Sequence, residues 1–264
     1  MTYVIHYTIH HVSSVSSTMN AVRDMAEAGA PEGTVVVADE QTAGRGRASH
    51  TWYSPPGQSL YASVLLRPDL APAQAGWITM VAALSVSEAI REMRDERLEN
   101  NLASSVISNL LSPISIKWFN DIHIGGRKVC GILVESSITG DQLDYAVLGI
   151  GLNVNTSFDQ APSEVRARAT SLREAWAAQE PLDRSVVLAR VLARFGKRYT
   201  NLLTQRTSPA REYAQALETL GREVRVDTGN GIVSGRALRI MEDGALIVLT
   251  ADGEQRIGFG DITG

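Results

Sequence analysis

The sequence contains little cysteine: its one thiol, Cys130, cannot form a disulfide within the chain. A protein without internal disulfides suits a reducing compartment, so we expect a cytoplasmic location. The N-terminus lacks the basic stretch and long apolar run of a secretory signal, and no apolar run comes close to the ~20 residues of a membrane span. We therefore expect no association with a membrane.

The sequence also lacks an excess of positive charge. Lys and Arg number 25 against 29 Asp and Glu, which gives a formal net charge of −4. Nucleic-acid-binding domains are usually distinctly basic, so specific DNA binding is not expected. Internal repeats and low-complexity tracts are absent as well, and 264 residues are enough to bury a core in one or two domains.

What the sequence does contain is a concentrated pattern of glycine and arginine at residues 43–47, directly after an apolar run typical of a buried strand. Gly44 and Gly46 leave the backbone free to take positive φ and to approach a ligand closely. Arg45 and Arg47 each offer a planar, permanently charged fork for carboxylate or phosphate oxygens. The pattern predicts a mobile loop that closes over an anion. A polar surface hairpin is the alternative.

A second candidate site is the start of the first predicted helix, where residues 16–20 read Ser-Ser-Thr-Met-Asn. A hydroxyl or amide in this position caps a helix. The free N–H groups of a helix N-terminus can also bind the polar head of a ligand. Both interpretations fit these residues, because a plain cap needs no ligand.

A predicted hairpin brings several charged and polar side chains together. Lys117, Asn120 and Asp121 end its first strand, and Lys128 lies in the turn before the return strand. Oxygen ligands beside two ammonium groups suit a magnesium–nucleotide site, because they can hold the cation and neutralise phosphate. The alternative is a charged hairpin with weak surface ion pairs. Cys130 lies in the middle of the return strand and is predicted to be a core residue rather than a nucleophile.

The periodicity of the chain predicts an α+β fold in two domains. Residues 1–219 combine helices with buried strands, which predicts a mixed or antiparallel sheet packed by helices. From residue 220 to residue 264 the period becomes two and short strands alternate with glycine turns, which predicts a small β-barrel. A long amphipathic helix is predicted over residues 72–93. Residues 94–113 mix a charge run with polar residues and leucines, and we interpret them as a surface excursion.

Taken together, these motifs resemble those of the biotin–protein ligase family over nearly the whole chain. Five motifs occur in the family's order: Ser17-Thr18, then Gln41 with Gly44-Arg45-Gly46-Arg47 and Trp52, then Lys117-Trp118-Phe119-Asn120-Asp121, then residues 127–135, then residues 149–154. One such motif is weak evidence, whereas five in order are strong. The resemblance implies a class II synthetase-like catalytic domain followed by a small SH3-like β-barrel.

The resemblance also implies a reaction. Biotin and ATP give biotinyl-5′-adenylate and pyrophosphate, and a lysine of a biotin carboxyl carrier protein or domain then takes the biotinyl group. Biotin, ATP and Mg²⁺ are therefore expected ligands, a biotin-dependent carboxylase is the expected partner, and a homodimer is compatible. Because the recognised motifs begin by residue 16, we expect the single-function form without an N-terminal DNA-binding domain.

The resemblance further implies roles for individual residues. The implied biotin-binding residues are Ser17, Thr18, Met19, Gln41, Arg45, Gly46, Arg47, Lys128, Gly131 and Leu133. The implied nucleotide-binding residues are Gly44, Arg45, Trp52, Lys117, Asn120 and Asn153. Asp121 is the implied magnesium ligand, and Arg47 and Lys128 are the implied catalytic residues. Their cations would offset the repulsion between a carboxylate and a triphosphate.

Two other functions remain open, and the sequence departs from the family's pattern at several positions. Lipoate ligases and octanoyltransferases share the implied fold, and a non-catalytic biotin sensor is also compatible. Ser16 stands where the family often has Asp, Phe119 where it usually has Pro, and Ser49-His50 where many members carry Gly-Arg. From the loss of a loop cation at Ser49-His50 we expect weaker retention of the intermediate rather than lost activity, and from Phe119 a change in turn stiffness more than in chemistry.

Overall fold

In the computed structural model, residues 3–47, 51–100 and 110–263 are described. The departure at Ser49-His50 lies outside these ranges. In the described part of the chain, no helix combines the length and apolar character that a bilayer crossing would need.

A seven-stranded sheet forms the centre of the larger unit, with strand order β1-β2-β3-β7-β6-β5-β4. Its strands are β1 (Thr8–Val15), β2 (Thr34–Gln41), β3 (Leu60–Leu66), β4 (Ile114–Lys117), β5 (Asp121–Ile124), β6 (Arg127–Thr139) and β7 (Gln142–Leu152). The pair β1–β2 is parallel, whereas the other neighbouring strands run antiparallel. This mixed sheet confirms the predicted fold class.

Helices cover both faces of the central strands, which explains why β3 is buried at every residue. Helix α1 (Thr18–Glu27) packs on one face, against Val36, Leu65 and Val147. Helix α2 (Ala75–Asn100) and helix α5 (Arg184–Gln205) are part of the main core, which takes the alternate side chains of the same strands. The shorter helices are α3 (Ser163–Arg168), α4 (Leu172–Ala175) and α6 (Ala210–Ala216).

Part of the predicted surface excursion is helical. Residues 94–100 continue α2, residues 101–109 lie outside the described ranges, and Leu110 is buried. Glutamates on α2 and arginines on α5, spaced four apart on each helix, form a ladder of ion pairs: Glu88–Arg198, Glu92–Arg194 and Glu96–Arg190. The ladder runs past residue 93, so Glu96 of the charge run contacts α5.

The C-terminal unit is a five-stranded antiparallel sheet in the order β11-β10-β9-β8-β12. Its strands are β8 (Glu223–Asp227), β9 (Ile232–Ile240), β10 (Leu246–Thr250), β11 (Gly253–Ile257) and β12 (Asp261–Ile262). This sheet agrees with the predicted small all-β domain. The sheet contacts the larger unit, where the indole N–H of Trp118 donates to the carbonyl of Gly244 at 3.0 Å. The boundary between residues 219 and 220 remains a prediction.

Candidate active site

The candidate site begins at the first turn of α1, where a buried threonine is held by two strands. The oxygen Oε1 of Gln41 accepts hydrogen bonds from the backbone N–H of Thr18 at 2.9 Å and from its hydroxyl at 3.1 Å. The same hydroxyl lies 2.8 Å from the hydroxyl of Ser63. Ser17 is the N-cap residue, yet its side chain makes no capping hydrogen bond. The predicted helix start is therefore confirmed, whereas a capping hydrogen bond to the hydroxyl of Ser17 is not formed.

Cross-strand pairs that contain glycine extend this site along one face of the sheet. The first of these glycines is Gly149. Gly149 pairs with Leu133 on β6 and with Ser63 on β3, so the three lie on the same face. A Cβ on Gly149 would lie 2.7 Å from the sulfur of Met19, so this glycine is needed for close packing of α1. Leu133 is half-buried and packs against the cluster of buried residues that contains Met19, so the predicted biotin residues Thr18, Met19 and Leu133 lie together.

The next pair on the same face is Gly131 and Gly151, and the indole of Trp52 covers both. A Cβ on Gly131 would lie 2.8 Å from the indole, and one on Gly151 would lie 2.7 Å from it. The indole N–H is buried and has no hydrogen-bond partner among the described protein atoms. Since a buried donor without a partner is costly, this N–H is available to an acceptor on a ligand.

The charged hairpin lies directly beside this glycine pair. Gly131 pairs with Asp121 on β5, and Asp121 pairs with Lys117 on β4. The ammonium of Lys128 lies 2.7 Å from the carboxylate of Asp121 and 5.3 Å from the centre of the Trp52 ring. Along the sheet face there follow, in order, the polar group at Thr18, the glycines on which the indole of Trp52 packs, and the amine of Lys128, and we call this row of groups the track.

The loop that holds Trp52 is closed at its base. The N–H of Trp52 donates to the carbonyl of Gly44 at 2.9 Å, and Arg45 pairs with Thr51 as an isolated bridge. A Cβ on Gly44 would lie 2.7 Å from the hydroxyl of Ser54, whereas its φ is not positive. Of the two freedoms that glycine offers, close approach is therefore the one that Gly44 uses.

The two arginines of the loop contact different parts of the molecule. Arg45 forms an ion pair with Glu135 at 3.1 Å and donates to the side chain of Asn20 at 2.8 Å, on the α1 side of the site. Arg47 donates to the side-chain oxygen of Asn120 at 3.0 Å. Because Asn120 precedes Asp121, the guanidinium of Arg47 and the amine of Lys128 reach neighbouring residues. The structure thus brings Arg47 to the hairpin and leaves Arg45 apart from it.

Two predicted nucleotide residues have protein partners in this structure. The amine of Lys117 donates to the carbonyl of Ile262 at 3.0 Å, and burial lowers its pKa while Asp121 opposes that shift. The side chain of Asn153 is buried and donates to the carbonyl of Thr170 at 3.1 Å. Asn153 therefore fixes the chain after β7.

Sequence reasoning missed several residues beside the site. His123 is buried and lies 3.1 Å from Glu218, and burial lowers the pKa of its imidazole. The carbonyl of Gly260 accepts from Arg47 at 3.1 Å. These contacts join segments far apart in the chain, so no local pattern could have indicated them. Cys130 is fully buried with a raised thiol pKa, as expected of a core residue.

Comparison with known protein families places this site in context. The biotin/lipoate A/B protein ligase family matches residues 12–153, and the biotin protein ligase C-terminal domain matches residues 219–263. The first range covers more than half of the chain and contains the whole track. The chain belongs to the biotin/lipoate A/B protein ligase family.

Individual members of the biotin/lipoate A/B protein ligase family agree over most of their length. The bifunctional ligase/repressor BirA of Bacillus spizizenii is 36% identical over 249 residues, which are 94% of this chain and 71% of that protein. The biotin--[acetyl-CoA-carboxylase] ligase of Mycobacterium tuberculosis is 30% identical, over 95% of this chain and 86% of that protein. The structure of biotin protein ligase from Aquifex aeolicus in complex with biotin and ATP is 31% identical, covers 97% of both chains and superposes with a TM-score of 0.75.

Proposed function

We propose that this protein is an ATP-dependent, AMP-forming biotin ligase that transfers biotin to one lysine of a biotin carboxyl carrier protein or domain. The observation that carries the proposal is the track on the sheet face, which joins a polar pocket to the amine of Lys128. Biotin has a polar head, an apolar chain and a terminal carboxylate, and the track offers partners in that order. The names of the relatives from Mycobacterium tuberculosis and Aquifex aeolicus support the same substrate.

The head of biotin would bind at the first turn of α1. Thr18, Gln41 and Ser63 form a hydrogen-bonded group there, and such a group recognises a ureido ring through both donors and acceptors. Ser17 is buried at the N-cap position, and its hydroxyl makes no capping hydrogen bond. The apolar chain would then run past Met19, Leu133 and Gly131, as the resemblance implies, with Arg45 and Gly46 in the loop above.

In the first step an oxygen of the biotin carboxylate attacks the α-phosphorus of ATP. A bond between that oxygen and phosphorus forms, the bond to the β-phosphate oxygen breaks, and pyrophosphate leaves with the electron pair. Two anions must approach each other, so fixed cations at this point stabilise the transition state. Lys128 and Arg47 would supply them, at the hairpin that Asn120 and Asp121 form.

In the second step the uncharged amine of the acceptor lysine attacks the acyl carbon of the adenylate. The new amide bond forms, the bond from the acyl carbon to the phosphate oxygen breaks, AMP leaves with the electron pair, and the amine proton passes to solvent. No protein nucleophile is needed, which agrees with the burial of Cys130. The mixed anhydride is sensitive to water, so the loop that carries Trp52 would also protect it.

Magnesium would bind at Asp121 together with the triphosphate. Within the described ranges no three acidic, histidine or cysteine side chains are grouped for a metal. Asp121 nevertheless fits, because Mg²⁺ in nucleotide sites commonly takes one or two carboxylates and completes its shell with phosphates and water. The bound cation would supply charge neutralisation for the leaving pyrophosphate. Lys117 and Asn120 lie beside this carboxylate, and Gly44, Trp52 and Asn153 would complete the nucleotide site.

The remaining features of the proposal concern the whole protein. We place the catalytic domain at residues 1–219 and the small C-terminal domain at residues 220–264. We further propose a cytoplasmic protein that acts on a carrier domain of a biotin-dependent carboxylase and that is compatible with a homodimer. Size-exclusion chromatography with light scattering, with and without biotin and ATP, tests the oligomeric state.

The function is tested by incubating the protein with biotin, MgATP and a purified biotin carboxyl carrier domain. We expect pyrophosphate release and a mass increase of one biotinyl group on the carrier. Lipoate or octanoate in place of biotin should give no product. Labelling of a carrier by lipoate but not by biotin, or binding of biotin without any pyrophosphate release, would contradict the proposal.

Thr18→Val should weaken biotin binding with little effect on the chemical step. Valine keeps the volume of threonine but removes the hydroxyl that contacts Gln41 and Ser63. We expect the Kd for biotin to rise about five- to tenfold, the effect of one lost hydrogen bond in a buried site. Isothermal titration calorimetry measures the Kd, and an unchanged value would remove Thr18 from the pocket.

Two substitutions of Trp52 separate its ring from its N–H group. Trp52→Ala uncovers Gly131 and Gly151, and we expect biotin binding to weaken about 10- to 100-fold. Trp52→Phe keeps a ring over the glycines but removes the buried N–H, so its loss should be smaller. Titration of both variants with biotin gives the two values. Equal binding by Trp52→Ala and the wild type would mean that the indole does not cover the ligand.

A further inference from the structure

The last strand of the C-terminal sheet lies directly against the candidate site. Strand β12 pairs with β8, through Asp261 with Asp227 and Ile262 with Val226. From this edge the chain contacts two of the cations that the proposed reaction uses, Arg47 and Lys117. These contacts suggest that the small domain does more than pack against the larger one.

Arg47 is held on several sides, and the C-terminal sheet provides two of its partners. Its guanidinium donates to the carbonyl of Gly260 at 3.1 Å and lies 3.8 Å from the carboxylate of Asp261. It also donates to Asn120 at 3.0 Å and lies 5.5 Å from the centre of the Phe119 ring. Only 16% of the Arg47 side chain is exposed, so its direction is defined by these contacts.

The carbonyl that accepts from Arg47 is itself fixed in place. A Cβ on Gly260 would lie 2.6 Å from a methyl carbon of Val226 and 2.8 Å from the carbonyl oxygen of Asp227. Only glycine allows the backbone to approach β8 so closely. The position of the Gly260 carbonyl is therefore determined by the small sheet and not by the loop that carries Arg47.

The second contact is made by Lys117, the last residue of β4. Its amine donates to the carbonyl of Ile262 at 3.0 Å, and Asp121 lies beside it across the β4–β5 pair. A half-buried ammonium gains from such an acceptor, because burial disfavours its charge. Burial also lowers the pKa of Lys117.

We propose that the segment 260–262 is a positioning element of the adenylate-forming site, with Asp261 as a positioning residue for Arg47. The carboxylate of Asp261 and the carbonyl of Gly260 hold the guanidinium at the hairpin, while the carbonyl of Ile262 holds the amine of Lys117. The inference rests on the proposed function and deepens it. It makes the small domain part of the machinery for the first step, through contacts with cations rather than with substrate.

A double-mutant cycle between Asp261 and Arg47 tests the proposal. We expect Asp261→Asn to slow single-turnover pyrophosphate release about three- to tenfold, the size of a coupling between neighbouring charged groups. In the Arg47→Ala background the same substitution should have no further effect. Asp252→Asn, in an exposed turn of the same sheet, is the matched control and should behave as the wild type in both backgrounds. Asp261→Glu should restore most of the rate.

The outcomes distinguish failure of the proposed function from failure of the positioning role. Absence of pyrophosphate release from the wild-type protein would reject the proposed function itself. An active wild type with an equally active Asp261→Asn variant would overturn the positioning role alone. A defect of equal size in both backgrounds would overturn it too, since a general loss of stability adds to the effect of Arg47→Ala, whereas a positioning defect does not.

Hydrogen exchange gives a readout that does not depend on catalysis. In the ligand-free protein, Asp261→Asn should raise amide exchange in the peptide that spans residues 43–53 and should leave the peptide that spans α2 unchanged. Unchanged exchange in the loop peptide would show that Asp261 does not hold Arg47.

Discussion

Lys128→Ala is expected to lower the rate of adenylate formation about 100- to 1,000-fold, the usual effect of removing one preorganised charge from a transition state. Lys128 stands at the end of the track, 2.7 Å from the carboxylate of Asp121 and close to the Trp52 ring. In the proposed reaction its amine meets both the biotin carboxylate and the α-phosphate, where negative charges are forced together. No other described cation is placed under the indole in this way, since Arg47 approaches from the side of Asn120.

The measurement is single-turnover pyrophosphate release at saturating biotin and MgATP, with circular dichroism to confirm the fold. Stability should change little, because Lys128 and Asp121 are about one-third and one-quarter exposed and such pairs contribute weakly. Lys197→Ala, on the exposed surface of α5, is the matched control. A wild-type rate in Lys128→Ala would contradict the role that we assign to this amine.

The central part of the site could be predicted from sequence because it is local. Lys117, Asp121 and Lys128 lie on neighbouring strands of a hairpin, and a short turn fixes which residues face each other. The alternation of apolar residues likewise predicts the strands of the sheet, since side chains of period two separate its faces. Local spacing was therefore sufficient to bring these side chains together and to place Cys130. The predicted single strand ending at Asp121 is wrong, because β4 ends at Lys117 and Asp121 begins the antiparallel strand β5.

The destination of the loop arginines could not be predicted in this way. Arg47 and Gly260 are separated by 213 residues, and their contact depends on how the small sheet docks. The same is true of the end of α2, where the partner that stabilises Glu96 is Arg190 on another helix. Composition suggested a solvated surface there, whereas tertiary contacts continue the helix.

The glycines of the site are explained by close packing, which depends on contacts distant in sequence. Gly44 was expected to leave the backbone free for positive φ and for close approach, and close approach applies, because the hydroxyl of Ser54 occupies the place of a side chain. Gly131 and Gly151 likewise leave no room for a side chain, because the indole of Trp52 packs against both.

Arg47→Ala is expected to slow adenylate formation about 10- to 100-fold, which corresponds to the loss of charge-assisted hydrogen bonds. It should also release the intermediate more readily. The physical reason is that Arg47 joins the loop of residues 43–53 to Asn120 and to the C-terminal sheet. Its removal therefore withdraws a cation and also breaks the contacts that hold this loop over the site. Quench-flow measurement of pyrophosphate gives the rate, and rapid filtration followed by mass spectrometry gives the fraction of biotinyl-adenylate that stays bound.

The matched control for this substitution is Arg225→Ala, which removes an exposed arginine from β8 in the same small sheet. Arg45→Ala provides a second comparison, because Arg45 contacts Glu135 and Asn20 on the far side of the loop. If the loop needs only positive charge, the two loop variants will be equally impaired. If the docking of Arg47 matters, Arg47→Ala will lose more bound intermediate than Arg45→Ala, and the Arg225→Ala protein will retain it as the wild type does. Full retention in Arg47→Ala would mean that the loop is closed by other contacts.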